Sequence, residues 1–427
     1  MVKFRYREQE LREKWLGKER QSVNGTQFLF VTKEKEEEFY KNMYPTNQER
    51  KTFDIYRNEW YKRAKTFESG NFPLAVTIEL VSTCNLACTM CYTITDKFQN
   101  SVVGGQRMMP WKIVKKIIDE AAKIGVYSLM FSWRGESTLY HDKDENGNKI
   151  DFGDVLMYAR KSGILEITSL THGQLIDEKM AEKIVMAEPS WISFSIDGME
   201  KVYNEIRTPP NKMNTEYNAF NTVTNNIKRL VEIKEKLKKK RPQIRTNTIF
   251  PAIQKNPEEY RDFMESIGVD LITVNEIKDF RHHRMDEDEI DNDYACQYPF
   301  QRLAVSANGI IVPCTGSYNE EEGLVLGKYS GSKNKSIRDY DGKIVDKELD
   351  DFSLMEAWHS EKLNKIRMTH KNGKRKEIEP GCRNCHYGAV YKGAKSLPTE
   401  WDSKTQRWAV HKHLSEKRKY KLRTNIK

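Results

Sequence analysis

The sequence lacks a long apolar run, is poor in cysteine and has no strong excess of either charge. Its 427 residues contain no uninterrupted apolar stretch of ~18 residues, and the mean hydropathy is −0.77, which excludes a transmembrane helix. The first twenty residues alternate charged with single apolar side chains and have no apolar segment of the kind a secretory signal needs. We therefore expect a cytoplasmic chain without a membrane partner.

The charge balance carries little information about partners. Lysine and arginine total 72 and aspartate and glutamate total 62, which gives a net charge of +10. This value permits an anionic partner without requiring one. Lysine-rich segments at 234–245 and 412–427 are typical of solvated helix faces, and no recognised nucleic-acid-binding module accompanies them. Nucleic acid is therefore not an expected partner.

Cysteine is scarce, and its positions are the most informative feature of the sequence. Seven cysteines in a chain of this length argue against a disulfide scaffold and favour a reducing compartment. They fall into two groups. The first group is Cys84, Cys88 and Cys91; the second is Cys296, Cys314, Cys382 and Cys385.

The hydrophobic pattern predicts an α/β fold from residue 71 onward. Short β-branched segments alternate with amphipathic segments of helical period, which indicates right-handed βαβ units and a parallel sheet. About six strands fall short of a complete eight-stranded barrel, so a partial barrel and an open doubly wound sheet both fit. The predicted strands are 74–81, 126–132, 164–170, 191–196, 244–250 and 269–275; the predicted helices are 110–125, 154–161, 177–187, 217–238 and 257–266.

The rest of the chain divides around this unit into 1–70, 71–285, 286–400 and 401–427. The N-terminal extension has helical segments at 34–44 and 53–67 but too few apolar residues for its own core. A charged run after residue 280 indicates a boundary. The following segment has a predicted hairpin turn at Asn308-Gly309 and a helix near 353–368. It is too polar for a large core, so we expect an internal crosslink to stabilise it. The last 27 residues form a basic tail.

The first cysteine group suits a soft metal centre at the end of a strand. Three thiolates lie within eight residues directly after the first predicted strand, and such thiolates hold iron–sulfur clusters. Three ligands leave one iron of a four-iron cluster open to a substrate or cofactor. A structural zinc site is the alternative, but it needs four ligands.

These residues resemble a known family. CNLACTMC, followed by the aromatic Tyr92, resembles the C-x-x-x-C-x-x-C signature of the radical S-adenosylmethionine (SAM) superfamily. The resemblance implies a partial (β/α)6 TIM-like barrel and a [4Fe–4S] cluster whose open iron chelates SAM. An electron from a flavodoxin- or ferredoxin-like donor would cleave SAM to a 5′-deoxyadenosyl radical, which abstracts a substrate hydrogen.

Two further motifs fit the family in part. SWRGEST resembles its Gly-Gly-Glu-Pro-like loop, so Gly135 and Glu136 are expected against the SAM ammonium, with Arg134 and Ser137 as departures from the pattern. The alternative for Glu136 is a solvated loop charge. His172, in SLTHGQLID, takes the Asn position of a Thr-Asn-Gly turn, and a site role and a structural role are equally open for it.

The remaining family matches concern the rest of SAM. Ser195 and Asp197, in SFSIDG, resemble the residues that contact the ribose hydroxyls, although Asp197 could instead cap the next turn. Arg207 matches an arginine that approaches the methionine carboxylate, and its alternative is a surface position. Together with Tyr92, these are the expected SAM contacts.

The second cysteine group provides a complete set of four ligands. From the residues alone, a zinc ribbon and a [4Fe–4S] cluster fit equally. The segments CQYPFQRLAVSANGIIVPC, DFSLMEAWHSEKLNKIR and PGCRNCHYG resemble the SPASM domain or its shortened twitch form. This resemblance implies one fully ligated auxiliary cluster, which would serve in electron transfer.

All seven cysteines are used by this division, which leaves no free thiol to quench a substrate radical. We therefore expect a net two-electron oxidation of a sugar, polyol or aminocyclitol-type substrate, with the auxiliary cluster accepting an electron. The alternatives are a ribosomal-peptide maturase that crosslinks or epimerises its substrate, an enzyme that modifies nucleotides or nucleic acid, and a non-enzymatic zinc-binding interaction protein.

Overall fold

The computed structural model describes most of the chain. The described residues are 27–95, 98, 103–207, 209, 217–275, 290–291, 295–379, 381–383, 385, 390–391, 401–402 and 407–408. Most of the charged run after residue 280 and most of the basic tail lie outside these ranges. Within them, no helix is both long and apolar enough to cross a membrane.

Eleven strands form one mixed sheet in the order β1-β9-β8-β7-β6-β3-β2-β11-β12-β13-β16. The other strands form two-stranded ribbons, β4 with β5, β10 with β17, β14 with β15 and β18 with β19. The strands are β1 (Gln27–Leu29), β2 (Ala75–Ile78), β3 (Ser128–Met130), β4 (His141–Lys143), β5 (Lys149–Asp151), β6 (Glu166–Thr171), β7 (Trp191–Ser195), β8 (Gln243–Ile249), β9 (Leu271–Asn275), β10 (Ile290–Asp291), β11 (Arg302–Val305), β12 (Ile310–Val312), β13 (Gly327–Tyr329), β14 (Ser336–Arg338), β15 (Ile344–Asp346), β16 (Asp351–Phe352), β17 (Val390–Tyr391), β18 (Trp401–Asp402) and β19 (Arg407–Trp408).

Helices follow the parallel strands, as the sequence pattern predicts. The α3 helix is typical: it starts after Pro110, buries an apolar face that includes Val114 and Ile118, and ends at Gly125 in the left-handed conformation. The helices are α1 (Lys33–Met43), α2 (Asn47–Thr66), α3 (Trp111–Ile124), α4 (Phe152–Lys161), α5 (Glu178–Ala187), α6 (Glu200–Ile206), α7 (Ala219–Lys236), α8 (Phe250–Ile253), α9 (Pro257–Ser266), α10 (Leu354–His359) and α11 (Glu361–Lys371).

The order of the six parallel strands decides between the two architectures. From β2 through β3, β6, β7 and β8 to β9, each strand pairs with the next parallel strand along the chain, and among the described strands only the β4–β5 ribbon intervenes. A doubly wound sheet would reverse direction partway along its order, whereas consecutive order is that of a partial (β/α)6 barrel. The predicted α/β fold is confirmed in its barrel form.

The C-terminal segment joins the barrel more closely than its sequence suggests. Strand β11 pairs in parallel with β2, from Arg302 opposite Ala75 to Val305 opposite Ile78, and β12 continues the sheet. Buried residues of this segment, such as Leu303 and Trp358, belong to the same core cluster as the barrel. The segment therefore shares the barrel core, and it adds a small cluster of its own that includes Ile310, Val312 and Ile337.

Two local predictions for this segment, a turn and a helix, can be compared with the structure. Asn308-Gly309 lies between antiparallel β11 and β12, and Gly309 has a positive φ of 85°, as a hairpin turn requires. The predicted helix at 353–368 is two helices, α10 and α11, because Ser360 ends the first and caps the second with its side chain.

The N-terminal extension packs on the barrel, as its composition predicts. Strand β1 pairs antiparallel with β9 at the edge of the sheet. Helix α1 contributes Phe39 and Met43 to the main core, and Tyr44, directly after it, joins them. The Tyr44 hydroxyl donates to Glu166 Oε1 at 2.9 Å.

Candidate functional site

The first cysteine group lies in the loop that follows β2, at the edge where the parallel strands end. The loop turns tightly, since Cys91 N–H donates to the Cys88 carbonyl at 2.9 Å, and Leu86 N–H donates to Cys84 Sγ at 3.4 Å. Carboxyl ends of parallel strands are where barrel enzymes gather their reactive groups. The loop is therefore placed for chemistry.

The Cys88 thiol is buried, and Cys84 and Cys91 are half-buried. Burial, and then the nearby Glu136 carboxylate, raise the pKa of Cys84 well above its ordinary value. Burial also raises the pKa of Cys88 to about 11, although the Arg207 guanidinium opposes that increase. Without a metal both groups are neutral thiols, and metal binding here releases protons.

Glu136 is buried and holds the neighbouring loops together. Its Oε1 accepts from the Thr138 hydroxyl and the Thr171 hydroxyl, both at 2.6 Å, and its Oε2 accepts from His172 N–H at 2.9 Å. Burial acts to raise the pKa of this carboxyl, but these three hydrogen bonds together hold it below its ordinary value. Glu136 is thus an ionised, anchored carboxylate rather than a solvated loop charge.

Gly135 packs directly on the chain that precedes Cys84. A Cβ atom at this position would lie 2.3 Å from the Val81 carbonyl oxygen and 2.5 Å from that of Thr83. The next residue, Glu136, donates its N–H to the Thr83 carbonyl at 2.9 Å. Only glycine permits this approach, which brings the SWRGEST loop against the cysteine loop.

His172 contacts the cysteine loop through one of its residues. Its Nδ1 accepts from Gln174 N–H at 3.0 Å, so the ring proton lies on Nε2, which is 2.8 Å from Asn85 Oδ1. Asn85 sits between the first two cysteines of the motif. His172 therefore positions that loop.

Asp197 and Arg207 form a buried ion pair beside Cys88. Arg207 Nε donates to Asp197 Oδ2 at 2.7 Å, and its Nη1 lies 3.7 Å from Cys88 Sγ. The other oxygen of Asp197 accepts from Ile249 N–H at 3.1 Å. Neither the turn-cap interpretation of Asp197 nor the surface interpretation of Arg207 describes this arrangement.

The last two predicted SAM contacts are Ser195 and Tyr92. Ser195 ends β7 and pairs with Asn247 of β8. Tyr92 is buried, and its hydroxyl donates to Asn319 Oδ1, in the segment that follows Cys314. The side chain of Tyr92 thus joins the first cysteine loop to the second one.

The other four cysteines line a single cavity. They are Cys296, Cys314, Cys382 and Cys385. None of the seven cysteines, all of which lie in the described ranges, forms a disulfide. Burial raises the pKa of Cys314 to about 12 and that of Cys382 well above its ordinary value. The donor set is four soft sulfur atoms around one cavity, a ligand chemistry that suits a four-iron cluster or zinc.

Among the described residues, no three His, Cys, Asp or Glu side chains converge closely enough to hold one metal ion. Each cysteine of a four-iron cluster binds its own iron, so its ligands need not converge on one point.

Two buried basic residues line the same cavity, His370 and Arg375. Arg375 Nε donates to the Cys382 carbonyl at 2.8 Å, and its Nη2 donates to the Cys385 carbonyl. His370 Nδ1 accepts from Cys296 N–H at 3.2 Å. Burial, and then the Arg375 charge, lower the pKa of His370 to about 3, so this imidazole is neutral.

Arg134 joins the barrel to the C-terminal segment. It donates to both oxygens of Glu79 at 2.8 and 2.6 Å, to Glu320 Oε1 at 2.5 Å and to the Tyr318 carbonyl at 2.9 Å. Burial opposes the charge of Arg134, but Glu320 and Glu79 raise its pKa, so it stays cationic. This network explains the departure from glycine at position 134.

Aromatic side chains reinforce the same junction. Trp133 Nε1 donates to the Thr315 carbonyl at 2.9 Å, directly after Cys314. The Tyr318 ring lies 6.0 Å from the Tyr92 ring and 6.3 Å from the Trp133 ring, centroid to centroid. The loops of both cysteine groups therefore meet through one packed cluster.

Comparison with protein families identifies the two halves of the molecule. The description "Radical SAM superfamily" matches residues 78–267, and the SPASM "Iron-sulfur cluster-binding domain" matches residues 296–386. The chain belongs to the radical SAM superfamily. Its C-terminal segment is a SPASM domain, and its cofactors are SAM and iron–sulfur clusters.

Relatives of this radical SAM protein are distant. Fe-coproporphyrin III synthase of Methanosarcina barkeri (strain Fusaro / DSM 804) is 30% identical over 126 residues, which is 29% of this chain and 27% of that protein. The chain thus matches only about a quarter of that relative's length.

Similar solved structures include three with bound S-adenosylmethionine or AdoMet. BtrN in complex with AdoMet and 2-DOIA is 13% identical, with 74% of this chain and 93% of that chain covered and a TM-score of 0.43. Streptococcus suis SuiB bound to S-adenosylmethionine is 16% identical, with 73% and 69% covered and a TM-score of 0.46. AnSMEcpe with bound AdoMet is 14% identical, with 74% and 94% covered and a TM-score of 0.48.

Sequence reasoning missed four residues that the structure places at these sites: Glu79, Glu320, His370 and Arg375. Glu79 had a usable signal, since it is the lone acid of the apolar segment LAVTIELV and is fully buried. A buried charge needs a partner. The other three sit in charged segments where the pattern does not separate them from surface residues.

We expect Arg134→Met to lower the free energy of unfolding by about 3–5 kcal/mol, because two buried carboxylates lose their counter-charge. Urea denaturation measures the loss. The control is Lys115→Met, which removes an exposed ion pair with Asp119 and should cost at most about 1 kcal/mol. Equal losses in the two variants would contradict the role of Arg134.

Glu136→Gln tests the carboxylate anchor with a side chain of the same shape. Its amide places a donor opposite the donors that now converge on Glu136, so we expect a loss of about 1–3 kcal/mol in unfolding free energy. The exposed Glu145→Gln is the matched control and should stay within about 0.5 kcal/mol of wild type. If both variants unfold at the same urea concentration, the anchor is not needed.

Proposed function

We propose that this protein is a radical SAM oxidoreductase with two [4Fe–4S] clusters. Cys84, Cys88 and Cys91 hold the cluster that is open to SAM. The auxiliary cluster has a full set of ligands, Cys296, Cys314, Cys382 and Cys385. The observation that carries the proposal is the division of the seven thiols into an incomplete set at the barrel edge and a complete set around one cavity.

The residues beside the first loop have matching roles toward SAM. Gly135 brings its loop against the cysteine loop, and Glu136 presents an ionised carboxylate that suits the methionine ammonium. Arg207, held by Asp197 at 2.7 Å, offers a cation for the methionine carboxylate. Asp197 already accepts hydrogen bonds from Arg207 and from Ile249 N–H. Its proposed contact with the ribose hydroxyls is therefore made while it continues to hold Arg207. Ser195 and Tyr92 complete the proposed contacts.

With SAM held by these residues, the site would gain the radical chemistry needed to remove a hydrogen atom from the substrate, and the auxiliary cluster would supply an acceptor for the second electron. The starting electron comes from an external flavodoxin- or ferredoxin-like donor. The protein contributes binding, orientation and exclusion of water. With all seven cysteines assigned to clusters, no cysteine thiol remains to return a hydrogen atom to the substrate. This favours oxidation of a sugar, polyol or aminocyclitol over cysteine-quenched epimerisation.

Cysteine variants test the two assignments separately. Anaerobically reconstituted wild type should hold about eight irons per chain and cleave SAM to 5′-deoxyadenosine when reduced with dithionite. Cys88→Ala should lose about half the iron and all SAM cleavage. Cys314→Ala should lose a similar share of iron but still cleave SAM. Zinc without iron in the wild type would contradict the proposal and favour the interaction-protein alternative.

Product analysis tests the reaction type. The reduced enzyme is incubated in D2O with SAM and a panel of inositols, aminocyclitols and sugars, and the products are examined by mass spectrometry. Oxidation predicts a product that has lost two hydrogen atoms and carries no solvent deuterium at the oxidised carbon. A product of unchanged connectivity that carries one deuterium at an inverted centre, or turnover of peptides alone, would contradict the oxidation of a small polyol.

A further inference from the structure

His370 occupies an unusual position beside the second cysteine group. It lies on α11 and is fully buried, and its ring lines the cavity shared by the four cysteines. On one side its Nδ1 accepts from Cys296 N–H at 3.2 Å. The ring is therefore fixed against the backbone of the first cysteine of the group.

This hydrogen bond determines where the imidazole proton lies. A backbone N–H only donates, so Nδ1 must present its lone pair, and the proton of the neutral ring is on Nε2. Nε2 is buried and has no hydrogen-bond partner among the described residues. A buried donor left without an acceptor costs about 1–3 kcal/mol, which predicts that an acceptor occupies the cavity when the site is filled.

Sulfur atoms of the bound cluster are the acceptors that this cavity would provide. We propose that His370 Nε2–H donates a hydrogen bond to a sulfur of the auxiliary cluster and so raises the reduction potential of that cluster. The inference rests on the proposed assignment of the four cysteines to an auxiliary [4Fe–4S] cluster. His370 is then a tuning and positioning residue, because it acts on the cluster without binding iron.

The direction of the effect follows from charge. Reduction adds an electron to a cluster that is already anionic, and an N–H dipole aimed at its sulfur stabilises the more negative state. Hydrogen bonds to the sulfurs are among the main determinants of cluster potential. A higher potential makes the cluster a better acceptor for an electron from a substrate radical. The Arg375 guanidinium on the same cavity acts in the same direction.

Two substitutions separate the hydrogen-bonding roles of the two ring nitrogens of His370. In His370→Asn the amide oxygen takes the place of Nδ1, so the acceptor for Cys296 N–H stays while the donor is lost. In His370→Gln the amide nitrogen takes the place of Nε2 and keeps the donor. Both are made in the full chain with Cys84, Cys88 and Cys91 changed to alanine, so that the auxiliary cluster alone is reconstituted from iron and sulfide.

The readout is a redox titration of this cluster followed by electron paramagnetic resonance. We expect His370→Asn to make reduction about tenfold less favourable, a fall of about 59 mV for one electron. His370→Gln should stay near the parent. Equal potentials in parent, Asn and Gln proteins, each with the same iron content, would overturn the inference while leaving the cluster assignment intact.

A second measurement needs no substitution at His370. In the same cysteine background, protein labelled with ¹⁵N-histidine should show a weak histidine ¹⁵N hyperfine coupling in the reduced cluster, together with an exchangeable deuteron coupling in D2O. Absence of both couplings would overturn the inference even if His370→Asn fails to fold. Failure to incorporate any iron into this background would instead count against the proposed function.

Discussion

Arg134 carries its charge into the core between the barrel and the SPASM domain, where Glu79, Glu320 and the Tyr318 carbonyl surround it. Desolvating these ions is costly, and only a complete set of partners offsets that cost. Glu79 directly follows β2, Arg134 lies in the loop after β3, and Glu320 lies in the segment after Cys314. The charged groups are satisfied only when all three segments are in place, so the pairing fixes how the two halves of the chain sit together.

That constraint extends to both cysteine groups through short links. Glu79 lies five residues before Cys84, and Glu320 lies six residues after Cys314. Tyr92 and Trp133 reach across the junction to Asn319 and to the carbonyl of Thr315. The proposed electron transfer depends on the separation of the two centres, and this buried junction would hold that separation constant. The buried ion network thus fixes the position of the two sites relative to each other. Within the first site, Gly135 and Glu136 hold the neighbouring loops together.

Much of this arrangement could be predicted from the sequence, for identifiable reasons. The βαβ alternation and the cysteine spacing are local patterns, and they located the strands, the helices and both thiol groups. The sequence did not reveal that β11 extends the barrel sheet beside β2, because pairing between distant strands leaves no local period. The position of His370 and Arg375 beside the second cysteine group could not be predicted for a similar reason. Their burial depends on how α11 packs against Cys296, and in the sequence they are two basic residues among many.

The two cysteine sites differ in how the protein places positive charge and hydrogen-bond donors around them. Arg207 faces Cys88, but its guanidinium is held by the Asp197 carboxylate, so much of its field is cancelled before it reaches the thiol. Arg375 instead donates to the carbonyls of Cys382 and Cys385, and neutral carbonyls leave more of its charge acting on the cavity. Similar thiol ligands can therefore sit in different electrostatic surroundings. Surroundings of this kind, rather than the ligands alone, distinguish the centre proposed to reduce SAM from the centre proposed to accept an electron.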